Sequence, residues 1–205
     1  MKICCATSNP GKLCEFRLAL QDHFDVQPVP GLAGIAPPEE TGATFEANAI
    51  AKALYYSKFC GDPVFADDSG LAVDALDGAP GVFSARYAGP GATDAGNNRL
   101  LLAHMQGIEN RAARFVCVIA LARGGELLHT FRGEVEGTLA SEPRGPNGFG
   151  YDPLFFYPPF GHTFGESPLA RKMKVSHRAR ALAQLREWLG TYDNASTMAK
   201  DRRWR

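Results

Sequence analysis

Phe115-Val116-Cys117-Val118-Ile119-Ala120-Leu121-Ala122 is an unbroken apolar run, and after Arg123-Gly124-Gly125-Glu126 a second extended run follows from Leu127 to Val135. Two strand-like runs flanking Gly-Gly are a β-hairpin signal. Upstream of the hairpin, strands and helices alternate instead. Lys2 to Thr7 reads as a short buried strand, Ser8-Asn9-Pro10-Gly11-Lys12 as a turn, and Leu13, Phe16, Leu18 and Leu20 as an amphipathic helix beginning just after it. A strand at Asp25 to Val29 precedes a Pro/Gly-rich loop from Pro30 to Gly42. Thr41 or Thr44 caps the next helix, which runs to about Phe59 with helix-favouring Ala47, Ala49, Ala51 and Ala53. Val64 to Ala66 is a strand ending in Asp67-Asp68-Ser69-Gly70, and Leu71 to Ala75 resumes an extended run. Gly78 to Gly81 is a turn, Asn97 to Met105 a helix, and Pro143 to Pro153 a Gly/Pro loop. Ser176 caps a closing helix through Leu189, which Gly190 ends. Alternation early and a hairpin late predict an α/β fold with a mixed sheet. No repeat or clear linker divides the chain, so residues 1–190 read as one α/β domain and 191–205 as a weakly ordered tail.

The chain has 205 residues, 45% apolar and 21% charged, enough to bury a core and unlike a disordered segment. Its longest apolar run falls far short of the ~20 residues needed to cross a bilayer. The first residues lack the apolar stretch of a secretory signal, so a soluble, cytoplasmic protein is expected, with no membrane partner. With 22 basic and 22 acidic side chains the net charge is zero, which argues against a general nucleic-acid binder. The charges are unevenly spread, however. Residues 1–77 hold 5 Lys/Arg against 11 Asp/Glu, and residues 78–205 hold 17 against 11. That is the pattern of metal-binding carboxylates from the first part meeting phosphate-binding cations from the second, or of chance variation on a polar surface. Cys4, Cys5, Cys14, Cys60 and Cys117 are odd in number and without a C-x-x-C pair, so they read as structural thiols in a reducing compartment.

Reactive side chains concentrate in four loops. Thr7-Ser8-Asn9-Pro10-Gly11-Lys12 offers backbone N–H groups, hydroxyls and a lysine at a helix start, which suits an anion, although it is not a P-loop. Glu39-Glu40-Thr41-Gly42 supplies carboxylates, with Lys52 in the helix beyond. Asp67 and Asp68 are costly to bury unless they bind a cation or donors, and magnesium takes one or two such carboxylates plus water and phosphate. Gly148-Phe149-Gly150-Tyr151-Asp152 offers stacking surfaces, and Lys172 and Ser176-His177-Arg178 offer phosphate-binding cations. Taken singly, each loop also reads as ordinary structure: a capped turn, a dipole complement, a solvated charge, a surface histidine. The combination carries the chemistry.

Together these loops resemble the inosine triphosphate pyrophosphatase family, the enzymes that clear non-standard purine nucleotides, from about Lys2 to Leu189. The matching strings are Ser8-Asn9-Pro10-Gly11-Lys12, Glu40-Thr41-Gly42, Thr44-Phe45-Glu46, Ala66-Asp67-Asp68-Ser69-Gly70-Leu71, Gly78 through Gly89, Gly148-Phe149-Gly150-Tyr151-Asp152-Pro153 and Ser176-His177-Arg178. The resemblance implies an elongated mixed sheet flanked by helices, two lobes with a central cleft, a homodimer, and hydrolysis of ITP, dITP or XTP to the monophosphate and pyrophosphate. It implies that Glu40 and Asp68 hold Mg2+, and that Asp68 also activates the attacking water. Lys12, Lys52 and Lys172 would contact the triphosphate, with Thr7, Ser8, Asn9, Pro10, Gly11 and Ser69 alongside. Phe149, Gly150, Tyr151, Asp152, His177 and Arg178 would form the base and sugar side. Leu169-Ala170-Arg171 depart from the acidic residues common before the position of Lys172. A related pyrophosphatase for pyrimidine or modified nucleotides, and a non-catalytic nucleotide sensor, are the rival readings.

Overall fold

The computed structural model describes residues 1–192 in full and the backbone through Asp201. Seven strands form one mixed sheet in the order β2-β1-β3-β4-β5-β6-β7. β1 (Lys2–Cys5) pairs in parallel with β2 (Asp25–Pro28) and with β3 (Val64–Val73). From β3 onward the pairing is antiparallel, through β4 (Ala112–Arg123), β5 (Glu126–Leu139), β6 (Phe155–Tyr157) and β7 (His162–Thr163). The parallel part comes from the α/β crossovers and the β4–β5 pairing from the hairpin, as the sequence pattern predicts, while β3 pairs antiparallel with β4 across the intervening residues 74–111. Gly124 and Gly125 have φ of 60° and 88°, the two positive values that a two-residue turn matching strand twist requires.

The run Phe115 to Ala122 lacks alternation because both faces of β4 are covered. On one face Phe65, Cys117, Ile119 and Phe131 pack under Phe16 and Leu20 of α1 (Pro10–Leu20) and Ala181, Leu182 and Leu185 of α5 (His177–Asp201). On the other face Ala66, Val118 and Ala120 meet Ala49 and Ala53 of α2 (Phe45–Tyr56). Alanine against alanine lets α2 lie close to the strands. A second core gathers Leu71 and Val73 of β3, Phe115, Val135 and Leu139, together with Leu101 and Met105 at and just beyond α3 (Asp94–His104). Asp67 to Gly70 thus lie where the two cores meet.

Four local readings are corrected. Pro10, Gly11 and Lys12 are not a turn ahead of α1 but its first residues, with Asn9 as the cap accepting from Lys12 N at 3.0 Å. β3 does not end at Asp67; its ladder with β4 runs unbroken from Val64 to Val73, because Asp67 and Asp68 each find cationic partners in place of water. α3 begins at Asp94, capped by Thr93, rather than at Asn97. Gly190 does not end α5, which continues to Asp201; Trp188 stacks on Tyr192 one turn later, with ring centroids 4.8 Å apart. Of the expected tail, residues 202–205 lie outside the described residues. Between the open alternatives, Thr44 is the cap of α2, and Ser176 caps α5 through Ala179 N. The strands β6 and β7 and the short helix α4 (Leu169–Lys172) add to the elements read from the sequence. No described helix is long and apolar enough to cross a membrane.

Candidate active site

Asp67 and Asp68 are neighbours in a strand, so their side chains point to opposite faces of the sheet. Asp67 takes the α1/α5 face, where Lys12 Nζ lies 2.9 Å from its carboxylate and Ser69 Oγ donates to it at 3.0 Å. Asp68 takes the α2 face, where Lys52 Nζ and Asn48 Nδ2 donate to it at 3.0 and 3.1 Å. Asn48 and Lys52 are one helical turn apart and so reach the same spot. Lys52 Nζ also donates to Glu40 Oε1 at 2.9 Å, and Arg86 holds the other Glu40 oxygen at 3.2 Å. Glu40 and Asp68 therefore converge on one ammonium, and Asp67 belongs to a different cluster.

The two converging carboxyls shift in opposite directions. Burial raises Glu40, yet Lys52 and then Arg86 outweigh it, and its net shift is downward. Burial raises Asp68 by more than Lys52 and Asn48 return, so its net shift is upward. The donor set is two hard carboxylates without His or Cys. Among the described residues no third such group joins them. That is the provision suited to magnesium, which keeps waters and takes substrate phosphate oxygens.

Behind Asp67 lies a buried ionic network. Arg178 bonds Glu15 and reaches Ser69 Oγ at 2.8 Å and Asp67 at 3.5 Å. Lys172 bridges Glu15 at 2.8 Å and Asp152 at 2.5 Å, and Asp152 also accepts from Phe149 N at 3.0 Å. Glu15, Asp152, Lys172 and Arg178 are each 1–2% exposed. Burial raises Asp67 and Glu15, but the cations beside them prevail and hold both below the usual carboxylate range. In Asp152 burial prevails over Lys172 and the net shift is upward. The Phe149 ring lies against Lys172 Nζ (5.0 Å), Arg178 (5.6 Å) and Gly11, where a Cβ would come within 2.6 Å of it. Lys172 thus has its ammonium held between two buried carboxylates, Glu15 and Asp152, beside the Phe149 ring.

His177 stacks on Phe115, centroids 4.7 Å apart and planes 12° from parallel. The start of α5 reaches this depth because Gly133 of β5 has no side chain; a Cβ there would lie 2.1 Å from the His177 carbonyl. His177 Nδ1 and Arg178 Nε are buried without a partner. Gly150 N donates to Asp94 at 2.6 Å, and Tyr151 OH to the Ser84 carbonyl at 2.9 Å, which ties the 148–152 loop to α3 and to the 81–86 turn.

One cavity of about 170 Å³ runs between these groups, lined at one end by Asn9, Lys12, Glu40, Lys52 and Asp68 and at the other by Phe149 to Asp152, Lys172, His177 and Arg178. A second hollow of about 470 Å³ opens from the first end and is lined by Thr7, Ser8, Asn9 and Lys12. Thr7 Oγ1 accepts from Asn9 N at 3.2 Å, Ser8 is exposed, and Pro10 opens α1.

The Ham1 family model matches residues 3–188. The chain belongs to the Ham1 family. It is 55% identical over 183 residues to the dITP/XTP pyrophosphatase of Syntrophobacter fumaroxidans, covering 88% of this chain and 78% of that one. To the enzyme of the same name from Exiguobacterium sp. it is 50% identical over 187 residues, 90% and 95% of the two chains. A HAM1 protein from Coxiella burnetii superposes with a TM-score of 0.84 at 42% identity, covering 93% of this chain and 99% of that one. Every site residue above falls inside the Ham1 match.

Glu15, Asn48 and Arg86 are members of this Ham1 site to which the sequence reading assigns no role. Glu15 lies three residues beyond Lys12 on α1, so a helical stripe through Lys12 was the available signal. Asn48 precedes Lys52 by one turn and was legible in the same way. Arg86 reaches Glu40 across a separation of 46 residues, which no local pattern encodes.

His177 yields a pH test. Burial, then Arg178, Lys172 and Lys12, hold its imidazole well below 6.5, so the folded state keeps it neutral. Below pH 6.5 the unfolded chain binds a proton there that the folded chain does not, so this contribution to stability falls as pH drops. The expected slope is up to about 1.4 kcal/mol per pH unit between roughly pH 6.5 and 5.5. Urea unfolding of wild type and His177→Gln across that range measures it. Parallel curves would show that His177 does not titrate differently on folding.

Proposed function

We propose that this chain is a nucleoside triphosphate pyrophosphohydrolase, converting ITP, dITP and XTP to the monophosphate and pyrophosphate and so removing them from the nucleotide pool. The observation that carries the reading is one cavity with a carboxylate–lysine end and an aromatic end, in a Ham1 chain about half identical to curated dITP/XTP pyrophosphatases. Glu40 and Asp68 would hold Mg2+, which supplies charge neutralisation at the phosphates when bound. Lys12, Lys52 and Lys172 meet the phosphate charge, with the Thr7–Gly11 segment and Ser69 beside them. Asp68, whose carboxyl burial shifts upward, orients the attacking water and takes its proton. Phe149 offers a stacking face, Asp152 and Lys172 fix its loop, and His177 and Arg178 face the base. The reading includes a homodimer, as the resemblance implies, and a cytoplasmic location.

The unpartnered Arg178 Nε–H, on a residue that lines the cavity, supports purine selection. Hypoxanthine and xanthine carry a carbonyl at C6, whereas adenine carries an amino group, which leaves a donor facing a donor. Such a mismatch costs about 1–3 kcal/mol per buried group, and a site built around a substrate hydrogen bond discriminates further. Guanine adds an amino group at C2, where xanthine has a carbonyl, so its rejection rests on an unmatched donor at that edge. The expected kcat/KM for ITP and XTP is at least about 10²-fold above ATP and GTP, some 2.7 kcal/mol. Pyrophosphate release from the four nucleotides at fixed magnesium decides it. Comparable values for ITP and GTP overturn the specificity, and tight binding without release from any of them favours a sensor.

A further inference from the structure

Far along the sequence from the site's second half, Cys4 Sγ and Cys60 Sγ face each other at 3.0 Å, across 56 residues of chain. Both are free thiols. We propose that Cys4 and Cys60 are an oxidisable dithiol, which closes to a disulfide by exchange with a small-molecule disulfide such as oxidised glutathione and staples the end of α2 to β1.

The placement supports closure. Cys4 is a fully buried residue of β1, and Cys60 is the partly exposed residue that follows α2 and its terminal 3₁₀ turn. An outside reagent therefore meets Cys60 first, with Cys4 immediately behind it as the resolving thiol. Their sulfurs need to approach by only about 1 Å to reach the bond length of a disulfide. Gly61, next in the chain, has open space around it, so the Cys60-Gly61-Asp62 segment has room to make that shift. Around the pair, Val29, Tyr56 and Val64 form a small apolar cluster on which Leu32 and Ile35 also pack. A bridge there would tie β1 and α2 together beneath the loop that carries Glu40.

The exchange balances without another reactant. The Cys60 thiolate attacks one sulfur of oxidised glutathione, forming a mixed disulfide and expelling one glutathione thiolate. Cys4, once deprotonated, attacks Cys60 Sγ and expels the second. The two protein thiols lose two electrons and two protons, and one glutathione disulfide becomes two thiols. Burial, then the adjoining Cys60, push the Cys4 thiol up to about 12, so the second attack is the slow one. Asp62 also lies within reach of both sulfurs, which raises a metal site as the competing use of the cluster. Among the described residues the cluster offers three ligands, one short of a closed zinc site, and this favours the disulfide.

The test uses the full chain in a Cys14→Ser background, which removes the one exposed thiol, incubated with oxidised glutathione and then alkylated in denaturant. Two of the four remaining thiols are expected to resist iodoacetamide, with the Cys4 and Cys60 peptides joined. Tm should rise by about 5–15 °C, the scale for one long-loop disulfide in a chain of this size. Adding Cys60→Ser, a change at a partly exposed position, should abolish both effects. Four alkylated thiols, or glutathione retained on Cys60 without closure, would overturn the proposal. So would stoichiometric zinc binding that needs Cys60 and protects the pair from oxidation. None of these readouts involves a nucleotide, so they stand apart from the pyrophosphatase assay.

Discussion

Asp68→Asn should lower kcat by about 10²–10⁴-fold, the scale for removing a positioned acid–base group, while the protein still folds. The amide is nearly isosteric and keeps an oxygen for Lys52, but it cannot take a proton from water. One structural cost is visible. Asn48 Nδ2 donates to Asp68 while Asn48 Oδ1 accepts from Gly42 N at 2.8 Å, so Asn48 cannot flip to suit a new amide. Leaving that donor unmatched costs about 1–3 kcal/mol, well short of what unfolds an ordinary domain. Glu40→Gln is the informative contrast. Its oxygens meet Lys52 and Arg86 at the cavity wall, so it should raise the magnesium concentration needed for half-maximal rate and leave the ranking of nucleotides unchanged. Titrating magnesium against initial rate for both variants separates the roles. Near-wild-type turnover in Asp68→Asn makes Asp68 structural, and an unshifted magnesium curve in Glu40→Gln removes Glu40 from the metal set.

Glu15→Gln should destabilise the protein by about 3–5 kcal/mol at pH 7, the cost of breaking a buried ion pair from one side. Glu15 is the shared partner of Lys172 and Arg178, all three almost without exposed surface. Without its charge the network of Glu15, Asp67 and Asp152 against Lys12, Lys172 and Arg178 carries one uncompensated buried cation. The sign with pH is fixed by the folded state. Although burial raises it, Arg178 and Lys172 set Glu15 below its ordinary value. Its stabilisation is therefore complete above about pH 4.5 and lost as pH falls through the folded value. The gap between wild type and Glu15→Gln should be widest at neutral pH and narrow in acid. Urea midpoints at pH 7 and below pH 4.5 measure it. A gap under about 1 kcal/mol at pH 7, or one that does not narrow, would mean the network gains nothing from this carboxylate. Because Lys172 and Arg178 border Phe149, the same variant should raise KM for ITP more than it lowers kcat.

The mixed α/β class was legible because its signals are local. A Gly-Gly pair between two apolar runs forms a hairpin wherever it sits, and the alternation before it forces crossovers. The helix start at Ser176 was legible for the same reason, since a cap bonds a residue three positions away, and that of α2 was narrowed to Thr41 or Thr44. The strand through Asp67 to Gly70 was not. Two adjacent aspartates read as a strand's end, because nothing local reveals that Lys12, Arg178 and Lys52 arrive to compensate them.

By itself, then, the sequence determined the class of fold, the order of the main elements and the chemical inventory of the loops, all of which depend on neighbours a few residues apart. Tertiary structure alone decided how that inventory was divided. Strand pleating sent Asp67 to the Lys12–Arg178 cluster and Asp68 to Lys52 and Glu40, and a contact across 163 residues made Glu15 the buried partner of Arg178. It also turned Lys172 toward Asp152, 20 residues away in the chain, and brought Cys60 against Cys4. The reason is physical: burying a charge requires an opposite charge within a few ångströms, and which one is within reach is set by how helices pack on the two faces of the sheet.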